Sequence, residues 1–365
     1  MKIAFLTQGF GKVPDASSIT LGLFAKELVK RGNEVVIFSV KEHNQVLNEK
    51  INGYRIIRKK QEKNRIKTYM EYHNFSNMIK KEVNNSKKEF DIIHNFSAAP
   101  SLAIRALLAK KYSKNAKLIQ TIKSASAFTF SYAFTPILNM LDIVTVPTLF
   151  LYKKLNKFGL KKSKIRIVES YIDTDKFKLR NKNSLRRKYG FGKEKIVLYY
   201  GHLSEKKGIY YLLKAAKLLC GIKILLVTGS TKPYVKPYKQ IVENERLDNV
   251  KIIEDVKNVE EFVNIADVVV LPYPNLKSTE AQPSCVLETM ASKTPLITTN
   301  LVELRELVTK KEVVFAKAKD HNDLADKIKK VLVKKDNAKL KLAYKKAKLF
   351  DYKKITKKLI KLYQG

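Results

Sequence analysis

Short apolar runs of strand length alternate with stretches of helical period along the whole chain. In the first half these runs span residues 2–7, 34–40, 90–96, 117–121, 142–147 and 165–169. After a polar stretch at 178–195, a second series spans 196–200, 222–228, 250–254, 267–272, 295–298 and 313–316. Because these runs lack polar alternation, they predict strands of parallel sheets that helices cover on both faces. Two consecutive series predict two doubly wound α/β domains.

The length of 365 residues also favours two domains over one. We expect a first Rossmann-like domain at 1–177 and a second one at 178–345. Residues 346–365 should form a helix that packs back toward the first domain, because they carry more apolar positions than a free tail needs. Doubly wound domains bind ligands at the carboxyl ends of their strands, so we expect the site in a cleft between the two.

The charge of the chain is extreme, with 73 Lys and Arg against 34 Asp and Glu and a net charge of +39. Such an excess attracts polyanions. The Lys residues are spread over the whole chain, without an Arg-rich tail or zinc-knuckle spacing, and we therefore favour a compositional origin over a specific nucleic-acid partner. Basic stretches at 58–60, 80–81 and 110–111 leave two interpretations open, a solvated surface, which we favour, and contact with an anionic membrane.

Cysteine content and hydropathy indicate the compartment. Cys220 and Cys285 are the only cysteines, which excludes a disulfide framework, and each is predicted to be a small buried hydrophobe. Residues 1–8 contain too short an apolar run for a signal peptide. The most membrane-like stretch, 124–152, contains Asp142 and two prolines, and we interpret it as a helix followed by a buried strand. We therefore expect a cytoplasmic protein, with peripheral attachment to the inner face of the membrane as the open alternative.

The loop after the first predicted strand contains Gly9 and Gly11 and leads into a helix. Glycines allow close approach of a backbone, and a helix N-terminus offers N–H groups to an anion. The loop lacks a full dinucleotide fingerprint, so ordinary turn residues are the favoured interpretation when it is considered alone.

A second loop follows the first strand of the second series and contains Gly201, His202 and Lys207. Gly201 permits the chain to turn at the end of the strand. A pair of cations at this place would suit a diphosphate leaving group, whose charge grows as a glycosidic bond breaks. A surface Lys and a turn His are an equally good interpretation of this loop alone.

The segment from Glu280 to Glu288 has the strongest functional pattern. Pro283 marks the first turn of a predicted helix, and Glu288 falls on the same side of that helix as Ser284. Carboxylates so placed accept hydrogen bonds from sugar hydroxyls. Two Glu eight residues apart are usually a solvated helix face, but their position directly after a buried strand favours function.

These residues resemble retaining glycosyltransferase family 4, whose GT-B fold consists of two facing Rossmann-like domains with a deep interdomain cleft. The family pattern of Glu, seven residues and a second Glu is matched by Glu280-Ala-Gln-Pro283-Ser-Cys-Val-Leu-Glu288-Thr-Met-Ala. Further upstream, Gly201-His-Leu through Lys207-Gly208 resembles the family's Gly-Arg-Leu-x-x-x-Lys-Gly.

The resemblance implies transfer of a hexose-type sugar from a nucleoside-diphosphate sugar, with retention and without a cofactor or a metal held by protein. The domain at 1–177 would then bind the acceptor and the domain at 178–345 the nucleotide sugar. Within the second domain, Lys207 would bind the diphosphate, Glu280 the donor sugar and Glu288 the ribose. The full set of candidates comprises catalytic residues Lys207, His202 and Glu280, donor contacts Gly201, Pro283, Ser284, Cys285 and Glu288, and a phosphate or acceptor loop with Gly9, Gly11 and Lys123. The acceptor remains open between a glycan, a lipid-linked molecule and a small molecule.

Several positions depart from the family pattern. His202 replaces an Arg, Lys123 replaces a His, and Val302-Glu303 replaces a Gly-Gly pair. These departures keep a non-catalytic GT-B subunit as an alternative, and the charge keeps a polyanion-binding protein. A phosphorylase or an epimerase would need its own phosphate or acid–base motif, and the sequence contains none.

Overall fold

The computed structural model describes residues 1–10, 16–41, 45–60, 67–96, 99–124, 131–229, 235–277 and 279–365. The chain folds as two compact units. The N-terminal unit comprises Met1–Ser170 together with Tyr352–Gly365, and the C-terminal unit comprises Tyr171–Asp351. Each unit contains its own sheet, as the two series of apolar runs predict.

The described part of the N-terminal unit contains an eight-stranded sheet in the order β3-β4-β2-β1-β5-β6-β7-β8. All neighbouring strands are parallel except β3 and β4. The central strand β1 is buried over its whole length, as expected for a sheet covered on both faces. The strands are β1 (Lys2–Leu6), β2 (Glu34–Lys41), β3 (Asn48–Ile51), β4 (Tyr54–Lys60), β5 (Ile92–Phe96), β6 (Lys117–Thr121), β7 (Ile143–Val146) and β8 (Ile165–Ile167).

The strands β3 and β4 form an antiparallel hairpin that the apolar runs do not include. Its turn is Asn52-Gly53, and both residues have positive φ, 48° and 85°. Asn-Gly is the preferred pair for a two-residue hairpin turn, because that turn needs positive φ at both positions. The hairpin was therefore recognisable from its turn, although its strands are too polar to be recognised from hydropathy.

The helices of the N-terminal unit include one from the far end of the chain. They are α1 (Ala16–Lys30), α2 (Lys67–Ser86), α3 (Ala103–Lys110), α4 (Ser131–Asn139), α5 (Leu149–Lys157) and α13 (Tyr352–Gln364), with 3-10 turns at Pro100–Leu102 and Lys162–Lys164. The helix α13 packs against α1. Its buried residues Ile355, Leu359 and Tyr363 recur every four positions, which places them on one face.

A buried polar chain ties α13 to the sheet. The Tyr363 hydroxyl lies 2.7 Å from Nδ1 of His94, and Nε2 of His94 lies 2.7 Å from Oγ1 of Thr121. Thr121 Oγ1 is in turn 2.7 Å from Oγ1 of Thr145. Burial lowers the pKa of His94 to about 3, so its imidazole is neutral at physiological pH.

The described part of the C-terminal unit contains a parallel six-stranded sheet in the order β11-β10-β9-β12-β13-β14. Its strands are β9 (Lys195–Tyr200), β10 (Ile222–Val227), β11 (Val250–Ile253), β12 (Val268–Leu271), β13 (Leu296–Thr299) and β14 (Val314–Ala316). Its helices are α6 (Lys182–Lys188), α7 (Ile209–Ala216), α8 (Lys236–Asn244), α9 (Val259–Ile265), α10 (Ser284–Ala291), α11 (His321–Val333) and α12 (Asn337–Ala347), with 3-10 turns at Glu205–Lys207, Glu303–Glu306 and Lys348–Phe350.

The prediction that Cys220 is buried is wrong, because its side chain is exposed. Its apolar run ends in a turn between α7 and β10, where Gly221 has a φ of 73°. The chain therefore leaves the core before it reaches the strand. Among the residues that the structure describes, no helix is both long enough and apolar enough to span a bilayer.

Candidate functional site

Two neighbouring strands of the C-terminal unit end beside each other and carry most of the predicted donor residues. The strand β9 is followed by Gly201, His202 and the 3-10 turn Glu205–Lys207, and β12 is followed by the loop that leads to α10. Because β9 and β12 pair in parallel, both loops leave the same edge of the sheet.

Gly208 fixes how closely these two loops approach. It has a φ of +84°, and a Cβ atom there would lie 1.9 Å from the Pro272 carbonyl oxygen. No side chain fits at that distance, and L-residues rarely adopt that φ. The glycine therefore allows the turn bearing Lys207 to lie directly against the segment that follows β12.

The Lys207 ammonium is held by the loop after β12. Its Nζ donates a hydrogen bond of 2.5 Å to Oγ1 of Thr279 and lies 5.6 Å from the ring centroid of Tyr273. Burial lowers the pKa of Lys207, while the nearby Cys285 and Glu280 act to raise it. The side chain is thus positioned and partly desolvated, which strengthens its interaction with an anion.

Glu288 is a carboxyl group that titrates near neutrality. Burial raises its pKa to about 7, and the charge of Glu280 raises it further. Hydrogen bonds from Tyr200 and Ser284 and the charge of Lys176 act in the opposite direction and lower the pKa. The hydrogen bond from Ser284 agrees with the expectation that the two side chains share one side of α10. Glu288 as a whole residue is half-buried.

The Tyr200 hydroxyl joins the end of β9 to the first turns of α10. It lies 2.8 Å from the carbonyl oxygen of Cys285, 3.2 Å from Oε2 of Glu288 and 3.2 Å from Oγ1 of Thr289. Tyr200 precedes the predicted loop by one residue, and the sequence patterns do not single it out. Thr279 and Lys176 were missed in the same way, because their proximity to Lys207 and Glu288 arises only in the folded chain.

The first turn of α10 provides backbone donors at this edge. Pro283 is its N-cap residue with φ −64° and ψ 126°, and no side chain within the described residues caps the helix. The amide groups of a first turn form a ready site for an anion. Burial raises the pKa of the Cys285 thiol to about 12, with Glu288 raising it further, so the thiol is neutral.

Glu280 and His202, the remaining candidates of the two loops, differ in exposure. Glu280 is half-buried, and its charge influences the pKa values of Lys207, Glu288 and Tyr171. The residue His202 is exposed, and its carbonyl oxygen accepts a hydrogen bond of 2.8 Å from the Tyr199 hydroxyl. The structure therefore brings Lys207, Glu280 and Glu288 within electrostatic reach of one another.

The candidates in the N-terminal unit lie near the first turns of α1. The carbonyl oxygen of Gly9 accepts from Oγ of Ser18 at 3.3 Å, and Nζ of Lys123 donates to Oγ1 of Thr20 at 2.8 Å. Lys123 is buried, with its ammonium 4.7 Å from the ring centroid of Phe96. Gly11 lies outside the described residues. Within the part of the chain that is described, no group of three His, Cys, Asp or Glu is placed to hold a metal ion.

Two family models match consecutive parts of the chain. Glycosyltransferase Family 4 matches residues 18–176, and Glycosyl transferases group 1 matches residues 181–349. The chain belongs to the group 1 glycosyltransferases of family 4. No curated protein sequence matches it.

Solved glycosyltransferase structures share the fold of this family 4 chain along its whole length. Sucrose-phosphate synthase from Thermosynechococcus elongatus is 20% identical with a TM-score of 0.83, over 100% of this chain and 98% of that one. A glycosyltransferase from Rickettsia africae is 20% identical with a TM-score of 0.77, over 100% and 97%. HepE from Anabaena, solved with UDP-glucose, is 16% identical with a TM-score of 0.81, over 100% and 99%. The family 4 chain therefore has the GT-B fold.

Proposed function

We propose that this family 4 glycosyltransferase moves a hexose-type sugar from a nucleoside-diphosphate sugar to a glycan, lipid-linked or small-molecule acceptor, with retention at the anomeric carbon. The observation that supports this best is the partly desolvated ammonium of Lys207, which Thr279 holds beside Glu280 and Cys285. An ammonium fixed in this way stabilises a leaving diphosphate more strongly than a hydrated one does.

The roles of the donor residues follow from the chemistry of each group. Lys207 and the first-turn amides of α10 would bind the diphosphate, with the exposed His202 contributing. Glu280 would accept hydrogen bonds from the donor hexose, and Glu288 from the ribose. This assignment places the two carboxyl groups on either side of the diphosphate along the donor, with the cationic groups between them.

We propose that charge stabilisation by Lys207 and α10 makes a metal held by protein unnecessary. The leaving diphosphate would gain a fixed ammonium and backbone N–H donors that need no reorganisation during the reaction. Transfer should then continue in EDTA. We further propose that the enzyme works in the cytoplasm, because both cysteines are free.

The donor can be found by thermal shift with UDP-, GDP-, ADP- and TDP-sugars, because a ligand that binds the native state raises the melting temperature. UDP-glucose is the first probe, since HepE was solved with it. The donor that binds should then be converted in the presence of acceptors of each class, and NMR of the product should show the anomeric configuration of the donor.

Two outcomes would overturn parts of the proposal. Donor binding without transfer to any acceptor class would favour the non-catalytic subunit. Inversion at the anomeric carbon would contradict retention and leave the donor-binding roles intact.

A further inference from the structure

A second concave surface lies at the opposite edge of the C-terminal sheet from the donor residues. It has a volume of about 730 Å³, and Leu296 and Val314, the first residues of β13 and β14, are part of its lining. In a parallel sheet all strands begin at one edge and end at the other. This surface, which we call the lysine cavity, is therefore separate from the site at the ends of β9 and β12.

The lysine cavity combines an apolar floor with a cationic wall. Leu296 and Leu340 are buried in the floor, with Val314 and Val331 beside them. The wall contains five lysines, namely Lys327, Lys330, Lys334, Lys335 and Lys339. A cavity of this size and composition matches a ligand that has an anionic part and an apolar part.

The spacing of the lysines concentrates positive charge on one helix face. Lys327, Lys330 and Lys334 follow one another at intervals of three and four residues, the first two in the C-terminal half of α11 and Lys334 directly after its last residue. Like charges at these intervals repel one another. An anion beside Lys330 and Lys334 would remove the repulsion between these two ammonium groups as well as add its own attraction.

The two carboxylates of the lining are engaged elsewhere. Oε2 of Glu312 accepts hydrogen bonds of 2.7 and 2.8 Å from Thr309 and lies 3.8 Å from Nζ of Lys346. Oδ1 of Asp336 accepts from the backbone N–H of Lys339 at 2.9 Å, at the start of α12. Neither contact neutralises a lysine of the wall.

Three of the wall lysines also lack partners in the described part of the chain. No ion pair or hydrogen bond there involves the side chain of Lys330, Lys334 or Lys335, although other bases of this unit, such as Lys188 and Lys217, pair with Glu261 and Glu245. The pKa of Lys182 is lowered mainly by burial and in part by the positive charges of Arg186 and Lys335. The charge of Lys335 therefore acts on a neighbouring base. Of the other two wall lysines, Lys327 pairs with Asp323 at 3.8 Å and Lys339 donates to the Lys310 carbonyl oxygen. The uncompensated positive charge of the wall is therefore that of Lys330, Lys334 and Lys335.

We propose that the lysine cavity binds a phosphate-bearing anion with an apolar part, supplied either by an anionic phospholipid or by a soluble nucleotide. The phosphate would lie against Lys330, Lys334 and Lys335, and the apolar part against Leu296 and Leu340. Val333, the last residue of α11, is 89% exposed next to these lysines. Clustered lysines at a surface attract the anionic headgroups of a membrane.

The test compares two triple variants of equal charge. Lys330→Glu/Lys334→Glu/Lys335→Glu removes the wall, and Lys329→Glu/Lys341→Glu/Lys345→Glu changes exposed lysines of α11 and α12 that do not line the cavity. Binding of the full chain is measured to phosphatidylglycerol-containing vesicles by sedimentation and to ATP by calorimetry, at low and high salt. Circular dichroism and melting temperature check the folding of each variant, and the corresponding Lys→Gln triples replace any variant that does not fold.

We expect the wall variant to bind at least about tenfold more weakly than the control variant in one of the two assays, with the difference reduced at high salt. A difference with vesicles identifies the lipid source, and a difference with ATP the soluble source. Equal losses in the two triples, or no binding by the wild-type chain, would overturn the proposal. None of these outcomes bears on the donor site, because the ATP bound there would be the same in both variants.

Discussion

The Tyr200 hydroxyl lies 3.2 Å from Oε2 of Glu288, although the two residues are 88 positions apart. Tyr200 ends β9 and Glu288 lies within α10, so the contact joins the two elements that carry the donor residues. The same hydroxyl binds the Cys285 carbonyl oxygen at 2.8 Å, and this fixes the first turn of α10. The carboxyl group of Glu288 is thereby held in a buried environment that raises its pKa to about 7, so its protonation state changes near physiological pH.

We predict that donor binding weakens as the pH falls through about 7, where Glu288 becomes protonated. A protonated carboxyl group loses acceptor capacity and the charge-assisted bonds to ribose hydroxyls. The donor KM should rise by up to about tenfold per pH unit below the pKa. Kinetics between about pH 5 and about pH 8 check this, and Glu288→Gln should remove the dependence while exposed Glu243→Gln keeps it.

Glu288 should also affect stability with the opposite pH trend. Its pKa of about 7 in the folded chain exceeds the ordinary value of 4.5, so the folded state binds the proton more tightly. The free energy of unfolding should therefore fall as the pH rises from 4.5 to about 7. Urea unfolding should give the free energy of unfolding of Glu288→Gln and of the wild type at each pH. The difference between them, variant minus wild type, should be larger at about pH 8 than at about pH 5. An unchanged difference between the two pH values would contradict the pKa.

We predict that Lys207→Ala lowers the rate of transfer by about 10²- to 10³-fold, because it removes a fixed charge from the leaving diphosphate. The matched control is Lys206→Ala, which changes an exposed lysine of the same 3-10 turn. Folding should be preserved in both variants, which circular dichroism checks. Turnover of the sugar nucleotide at the wild-type rate in Lys207→Ala would remove the basis of the proposed function.

Much of the fold followed from local pattern. The strand predicted at 196–200 is β9 at Lys195–Tyr200, and the helix predicted to start at Pro283 is α10 at Ser284–Ala291. Such runs are informative because a parallel strand buried on both faces has no polar positions to obscure it. Cys220 shows the limit, because an apolar run continues through a turn without any change in hydropathy.

The candidate site was less accessible to sequence reasoning. Motif spacing identified Lys207 and Glu288, but the hydrogen bonds from Lys207 to Thr279 and from Tyr200 to Glu288 depend on how β9 and β12 pair. Nothing local predicts such a pairing. The burial of Lys123 against Phe96 was equally inaccessible, since it is determined by the packing of α1 on the sheet.

We predict that Gly208→Ala lowers the free energy of unfolding by at least about 3 kcal/mol, because its Cβ would overlap the Pro272 carbonyl oxygen. Gly190→Ala is the control. Gly190 has a similar φ of +70°, but a Cβ there meets no atom within 4 Å, so only the backbone cost of about 1–2 kcal/mol applies. Urea unfolding of the two variants gives both values. Equal losses of unfolding free energy in the two variants would mean that the segment after β12 moves away from position 208 at little energetic cost.

We predict that Tyr363→Phe destabilises the N-terminal unit by about 1–3 kcal/mol, because it leaves Nδ1 of the fully buried His94 without its partner. The loss arises at the seam between α13 and the sheet, so hydrogen exchange should increase in α13. The control Tyr112→Phe removes a hydroxyl of the same unit for which the described residues show no hydrogen bond, and it should change stability by less than about 0.5 kcal/mol. If Tyr363→Phe proves as stable as this control, the His94 contact contributes nothing measurable and apolar packing by Ile355 and Leu359 holds α13 in place.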